Sequence, residues 1–190
     1  MKLELNELQQ WIYDLIYNNN SIYKFEDWIY YNDNIMTYVS YEDYIDLISI
    51  NYEDKYAREN LLRIIDQYVD YGVFESINLI RLLGKCLDKN LNFGQLAHIY
   101  QEFYYMYCKG YTFLDELAIT YGVTCVVPPS KFNSDYWDEL NDTEKEEIID
   151  SFYPEVKVYI ENTIELIVEE KIVLTGCKNE LDRWIFDDNR

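Results

Sequence analysis

Acidic residues outnumber basic residues by more than two to one in this chain, and this imbalance constrains its fold and its partners. The 190 residues include 36 Asp and Glu against 16 Lys and Arg, which gives a formal net charge of −20. A chain with this charge stays unfolded when apolar residues are few, but here 49% of the residues are hydrophobic. We therefore expect a folded protein whose anionic surface repels nucleic acid and anionic lipid and attracts a basic protein partner.

Apolar residues recur at steps of three and four over most of the chain, which is the period of an amphipathic helix. The pattern covers residues 3–117 and 143–168. The later runs 171–175 and 183–186 are strand-like and are separated by a turn. The sequence predicts a mainly α fold, in which many helices form a single domain over residues 1–190 and end in a short C-terminal β-hairpin.

Capping residues and helix breakers divide the helical pattern into segments. Ser21 and Ser40 are expected to cap helices, and either Asn141 or Asp142 a later one, since their side-chain oxygens accept from free backbone N–H groups. Gly72 is expected to end a helix that begins near residue 54, and Pro154 to begin a new one. The β-branched run that starts at residue 123 and its two following prolines make residues 123–134 a candidate internal boundary.

The residues that enzymes use most often are scarce in this chain. His98 is the only histidine, and the six glycines form no phosphate-binding loop. The acidic runs lack the spacing of a calcium-binding loop. We therefore expect a protein that is not an enzyme, with no catalytic residues, no cofactor and no metal site.

Cysteine usage and the N-terminal residues bear on the compartment. The four cysteines are far apart in the sequence and lie among apolar or aromatic neighbours, which is typical of reduced thiols. Polar and acidic residues follow Met1, and no run of 18 apolar residues occurs. The sequence predicts a cytoplasmic protein that does not enter a membrane.

A cluster of acids and tyrosines is the best candidate for a partner-binding site. It consists of Tyr41, Glu42, Asp43, Tyr44 and Asp46, all within about two turns of one predicted helix. Acids next to aromatic rings can bind Lys and Arg through ion pairing and cation–π contact together. The alternative is that the tyrosines fill the core and the acids form a solvated helix face.

Three segments of the chain resemble the small acidic immunity proteins that bacteria encode beside polymorphic or contact-dependent toxins. These segments are FEDWIY at residues 25–30, YEDYIDLISIN at 41–51, and the tail KIVLTG…ELDRWIF. The resemblance implies a toxin inhibitor without enzymatic activity. Such an inhibitor binds a cognate toxin domain, often a basic nuclease, in the cytosol of the producing cell.

Other functional classes stay open at the level of sequence. A nucleic-acid mimic would place carboxylates in the groove of a DNA- or RNA-binding protein, and it would compete with DNA on several such proteins. A carboxylate-based metal hydrolase and a helical adaptor are further alternatives. The sequence leaves open the identity of the toxin, the acidic patch that binds it, and the oligomeric state.

Overall fold

The computed structural model describes residues 3–88, 90–122 and 140–190. Its fold is mainly α with a two-stranded C-terminal β-hairpin, which confirms the predicted fold class. The chain divides into two compact units, of which the first ends at Asp70 and the second begins at Tyr71. The candidate boundary at residues 123–134 lies outside the described residues. The single domain stays a prediction.

The N-terminal unit is built from short helices. They are α1 (Glu7–Tyr17), α2 (Ile22–Tyr31), a 3-10 turn (Ile35–Thr37), α3 (Tyr41–Ile48), α4 (Ala57–Ile65) and a second 3-10 turn (Asp66–Tyr68). Asn6 and Gln9 form a capping box at the start of α1, and Ser21 caps α2 as predicted. Helix α4, which contains residue 61, ends at Ile65. The prediction that this helix ends at Gly72 is wrong.

Aromatic rings join the first two helices of this unit. The ring centroid of Trp28 lies 5.6 Å from that of Phe25 and 5.7 Å from that of Trp11. The Trp11 and Phe25 centroids lie 6.3 Å apart. The Trp28 indole N–H donates to Glu7 Oε1 at 2.8 Å, so the polar edge of the ring is also satisfied. The buried apolar side chains of this unit come from all four helices and include Leu8, Ile12, Leu15, Phe25, Ile29, Leu47, Leu61 and Ile65.

The C-terminal unit combines three longer helices with the hairpin. Its elements are α5 (Tyr71–Cys86), α6 (Phe93–Cys108), a 3-10 turn (Thr112–Leu114), a π-helical segment (Glu116–Gly122), α7 (Asp142–Val168), β1 (Ile172–Lys178) and β2 (Trp184–Asp188). Asn141, one of the two predicted capping residues, caps α7, and its capping box includes Glu144. Helix α7 continues through Pro154, so the prediction that Pro154 begins a separate helix is wrong.

The core of the C-terminal unit is one continuous apolar cluster. Leu79, Leu83, Phe103, Leu114 and Ile160 are fully buried in it. Strand β1 adds its inward-facing Ile172 and Leu174, which alternate with less buried residues as expected for a strand that covers a core on one side. None of the helices in the described ranges is both long and apolar enough to cross a membrane.

Two glycines allow the hairpin to approach the helices closely. Gly110 follows α6 with φ +128°, and a Cβ there would lie 2.3 Å from the Trp184 carbonyl oxygen. Gly176 has φ +67° in an irregular stretch of β1, and a Cβ there would lie 2.4 Å from Tyr71 Cβ. The Trp184 N–H donates to the Lys109 carbonyl at 2.7 Å, which fixes β2 against the end of α6.

Candidate functional site

Helix α3 carries the cluster of acids and tyrosines, and its start is defined by a serine cap. The Ser40 hydroxyl accepts from the Asp43 backbone N–H at 3.1 Å and donates to the Asp43 carboxylate. Glu42 and Asp43 therefore lie in the first turn, where the positive end of the helix dipole favours negative charge. Local sequence thus places both acids at a helix start that stabilises them.

Asp43 is used within the protein and does not extend freely into solvent. Its carboxylate accepts from the Tyr68 hydroxyl at 2.5 Å and from Gln67 Nε2 at 3.0 Å, in addition to Ser40. Three hydrogen bonds hold the pKa of Asp43 below its ordinary value. The bond from Ser40 has the largest effect, and those from Tyr68 and Gln67 add to it. Asp43 therefore joins the start of α3 to the turn that follows α4.

The solvent-facing residues of α3 form what we call the α3 face: Tyr41, Glu42, Ile45 and Asp46. Tyr41 is 66% exposed, and the other three are exposed as well. Tyr41 and Ile45 are one helical turn apart, as are Glu42 and Asp46, so an aromatic–apolar pair lies beside an acidic pair. A cationic surface with apolar side chains is complementary to this arrangement.

The structure thus separates the five residues that sequence reasoning grouped together. Tyr41, Glu42 and Asp46 are exposed, whereas Asp43 and Tyr44 are half-buried. Ile45 was not among the candidates, which were all acids and tyrosines. Its exposure follows from the helical period, since Leu47 is the residue of α3 that points into the core.

A polar groove of about 600 Å³ adjoins the α3 face. Asp43 and Asp46 line one side, and Asn60, Arg63 and Gln67 come from α4 and the turn after it. The positions 60, 63 and 67 follow the helical period, which is the sequence signal that would have identified this wall. The groove lies next to Asp46 and extends the polar surface of the α3 face.

The tyrosines that precede α3 also reach the surface. Tyr31 is 85% exposed, and the Tyr30 hydroxyl donates to the Ile48 carbonyl at 3.1 Å, near the end of α3. Exposed tyrosine rings are favoured anchors in protein interfaces because they add contact area at a small cost in conformational entropy.

The candidate groups for catalysis are dispersed in the described residues. The His98 side chain is 70% exposed, and its Nε2 atom lies 4.0 Å from Glu102 Oε1, one turn further along α6. Cys86 is buried, and burial raises its pKa to about 11, while Cys108 and Cys177 are exposed. Within residues 3–88, 90–122 and 140–190, no group of three His, Cys, Asp or Glu side chains could hold a metal ion.

Comparison of the chain with protein-family models, with curated proteins and with solved structures gives no match.

Proposed function

We propose that this protein is a non-enzymatic inhibitor that binds a basic toxin domain through the α3 face. The observation that carries the proposal is the exposure of Glu42 and Asp46 on one side of α3 beside the exposed Tyr41 and Ile45. This pattern combines charge for attraction with rings and apolar atoms for contact. The proposal places the protein in the cytoplasm, where it neutralises the toxin of the producing cell.

Charge and apolar contact have separate roles in this proposal. The net charge of −20 attracts a cationic domain over distances of about a Debye length, roughly 8 Å at physiological salt. That attraction raises the rate of association more than it strengthens the final complex. Tyr41 and Ile45 then exclude water at the contact and slow dissociation, as buried aromatic anchors do in other interfaces.

The acidity of the α3 face also explains the choice of a protein partner over a nucleic acid. The α3 face contains two carboxylates, those of Glu42 and Asp46, and no basic residue. Nucleic-acid surfaces that stack bases on aromatic rings require Lys or Arg between the rings to neutralise phosphate. A tyrosine surface with carboxylates repels phosphate and attracts Lys and Arg side chains.

The test compares two double charge reversals with the same change in net charge. Glu42→Lys with Asp46→Lys alters the α3 face, and Glu147→Lys with Asp150→Lys alters exposed acids of α7. Wild type and both variants are immobilised and exposed to the soluble proteins of the producing cell together with its secreted toxins, and retained proteins are identified by mass spectrometry. A basic protein retained by wild type and by the α7 variant, but lost with the α3 variant, supports the proposal.

The retained protein is then expressed in a susceptible cell with each variant. The proposal predicts that wild type and the α7 variant restore growth and that the α3 variant does not. Equal protection by all three proteins would contradict the assignment of the α3 face. Retention of several unrelated DNA-binding proteins, released by added DNA, would instead support the nucleic-acid mimic.

A further inference from the structure

Arg63 is the basic residue in the wall of the polar groove that adjoins the α3 face. It lies in the last turn of α4, and Asp46 of the α3 face lines the same groove. Both side chains are exposed, so a molecule in the groove can contact both charges. The half-buried Ile50 and Ile64 add apolar atoms to the lining. The acidic surface proposed for a basic partner therefore adjoins a positive charge.

The guanidinium of Arg63 is not used within the protein. It makes no hydrogen bond or ion pair with any residue in the ranges 3–88, 90–122 and 140–190. Glu59 lies one turn earlier on α4, at the spacing that favours an ion pair on a helix, but this pair is not formed. The carboxylate of Asp43 is bound by its own hydrogen-bond donors. The five N–H donors of Arg63 therefore stay free at the groove.

The other described basic residues of the N-terminal unit provide a comparison. Arg58 donates to two backbone carbonyls, and Lys55 lies over a tyrosine ring. Lys24 is exposed on α2, and its side chain, like that of Arg63, has no partner within the described residues. Lys24 does not line the groove. Lys24 and Arg63 are therefore a matched pair of free cations in one unit, of which Arg63 is the one placed beside Asp46.

We propose that Arg63 binds a carboxylate of the basic partner, so that the partner carries an acidic side chain within its cationic contact surface. This inference rests on the proposed function. A guanidinium binds a carboxylate through two parallel hydrogen bonds, and a lysine or arginine of the partner binds Asp46 in the same groove. Phosphate also fits a guanidinium, but the carboxylates of Asp43 and Asp46 repel a polyanion such as a nucleic acid.

This arrangement makes Arg63 a residue that selects among basic proteins. A cationic surface without an acid would cover Arg63 with like charge and leave its guanidinium unpaired, which weakens binding. A surface with an acid at that point gains a charge-assisted pair instead. The net negative charge therefore attracts basic proteins in general, whereas Arg63 favours the one whose acid meets it.

The test measures, by surface plasmon resonance, how the basic protein retained by immobilised wild type binds wild type, Arg63→Ala and Lys24→Ala. Both variants lose one positive charge, so attraction by net charge alone predicts that each binds the partner as tightly as wild type or more tightly. We expect Lys24→Ala to do so. Arg63→Ala should bind about tenfold more weakly, mainly through faster dissociation, because a hydrogen-bonded charge pair is lost. Arg63→Lys should recover only part of this loss, since lysine lacks the planar fork.

Polylysine, a polycation without side-chain carboxylates, separates the proposed pair from a general effect on the surface. Arg63→Ala should bind polylysine at least as tightly as wild type, and a loss as large as that for the partner would overturn the proposal. The melting temperature of Arg63→Ala should match that of wild type. A large fall would mean that Arg63 has a partner within the chain, which would also overturn the proposal.

Equal binding of the partner by Arg63→Ala and wild type would overturn the proposal directly. If the Glu42→Lys, Asp46→Lys variant still loses the partner in that case, the proposed function stands without this inference. If wild type retains no basic protein, the proposed function and this inference fail together.

Discussion

The Tyr68 hydroxyl donates to the Asp43 carboxylate and at the same time accepts from the Ser40 backbone N–H at 3.1 Å. One phenol therefore satisfies both the capping residue of α3 and the acid in its first turn. These two hydrogen bonds join residues that lie 25 and 28 positions apart in the sequence. The orientation of the α3 face depends on these contacts, because they fix the start of the helix that carries it.

The contacts of Tyr68 with Ser40 and Asp43 form what we call the Tyr68 junction. Substitution of Asp43 in this junction is expected to lower stability in a pH-dependent way. Asp43 has a lowered pKa in the folded state, so its charged form stabilises the fold above the unfolded pKa near 3.9, and this contribution is lost as pH falls through the lower folded value. The difference in melting temperature between wild type and Asp43→Asn should therefore shrink as the pH is lowered below about 4. Thermal unfolding followed by circular dichroism at several pH values measures it.

Tyr68→Phe should lower the melting temperature at pH 7 as well, since it removes the donor to Asp43 and the acceptor for the Ser40 N–H. Tyr23→Phe, on an exposed tyrosine of α2 in the same unit, is the control and should leave stability unchanged. Equal melting temperatures for Tyr68→Phe and wild type would mean that the junction does not stabilise α3.

The glycines under the hairpin give a second prediction. Gly110→Ala and Gly176→Ala should each destabilise the protein by about 1–3 kcal/mol or more, because each combines a positive φ with a backbone or Cβ atom closer than 3 Å to the new methyl group. Gly84→Ala is the matched control. A Cβ at Gly84, in the last turn of α5, meets nothing within 4 Å, so this change should stabilise by up to about 0.5–1 kcal/mol.

Urea unfolding of the three glycine variants measures these differences. A neutral Gly176→Ala would show that β1 does not approach the start of α5 as closely as described. A destabilising Gly84→Ala would show that the exposed side of α5 is covered by another part of the chain.

Pro154 provides a test of α7. A proline within a helix lacks the N–H that would donate to the carbonyl of residue 150, and it costs about 3 kcal/mol relative to alanine. Because Pro154 is exposed, Pro154→Ala should stabilise the protein by up to about that amount. Val158→Ala, also exposed on α7, is the control. Destabilisation by Pro154→Ala in urea unfolding would mean that the helix is interrupted there.

Local patterns were enough to predict the helical class, the hairpin and the caps at Ser21 and Ser40, and to narrow the cap of α7 to Asn141 or Asp142. These features depend on side chains and backbone groups a few residues apart. The errors at Gly72 and Pro154 arise from contacts with distant parts of the chain. Gly72 lies in the first turn of α5 where Gly176 approaches, and the buried Val156 and Ile160 keep α7 helical beyond Pro154.

The candidate site was predictable as a helix but not as a surface. Sequence spacing placed Tyr41, Glu42 and Asp46 together, and the structure leaves all three exposed. The involvement of Asp43 with Tyr68 depends on the approach of two elements 25 residues apart, which no local pattern encodes.

The aromatic part of the α3 face is expected to act mainly on the lifetime of the complex. Tyr41→Ala should raise the dissociation rate from the basic partner on the order of tenfold, with little change in the association rate. Tyr56→Ala, an exposed tyrosine just before α4, is the control. Surface plasmon resonance separates the two rates. An unchanged dissociation rate for Tyr41→Ala would exclude Tyr41 from the contact.

The most direct test of the central claim is the association rate of the basic partner as salt is raised from about 20 to 150 mM. We expect wild type and the Glu147→Lys, Asp150→Lys variant to slow by about tenfold or more, while dissociation changes little. The Glu42→Lys, Asp46→Lys variant should associate slowly at every salt concentration. Association rates that stay flat with salt, or that are equal for the two variants, would contradict attraction of the partner by the α3 face.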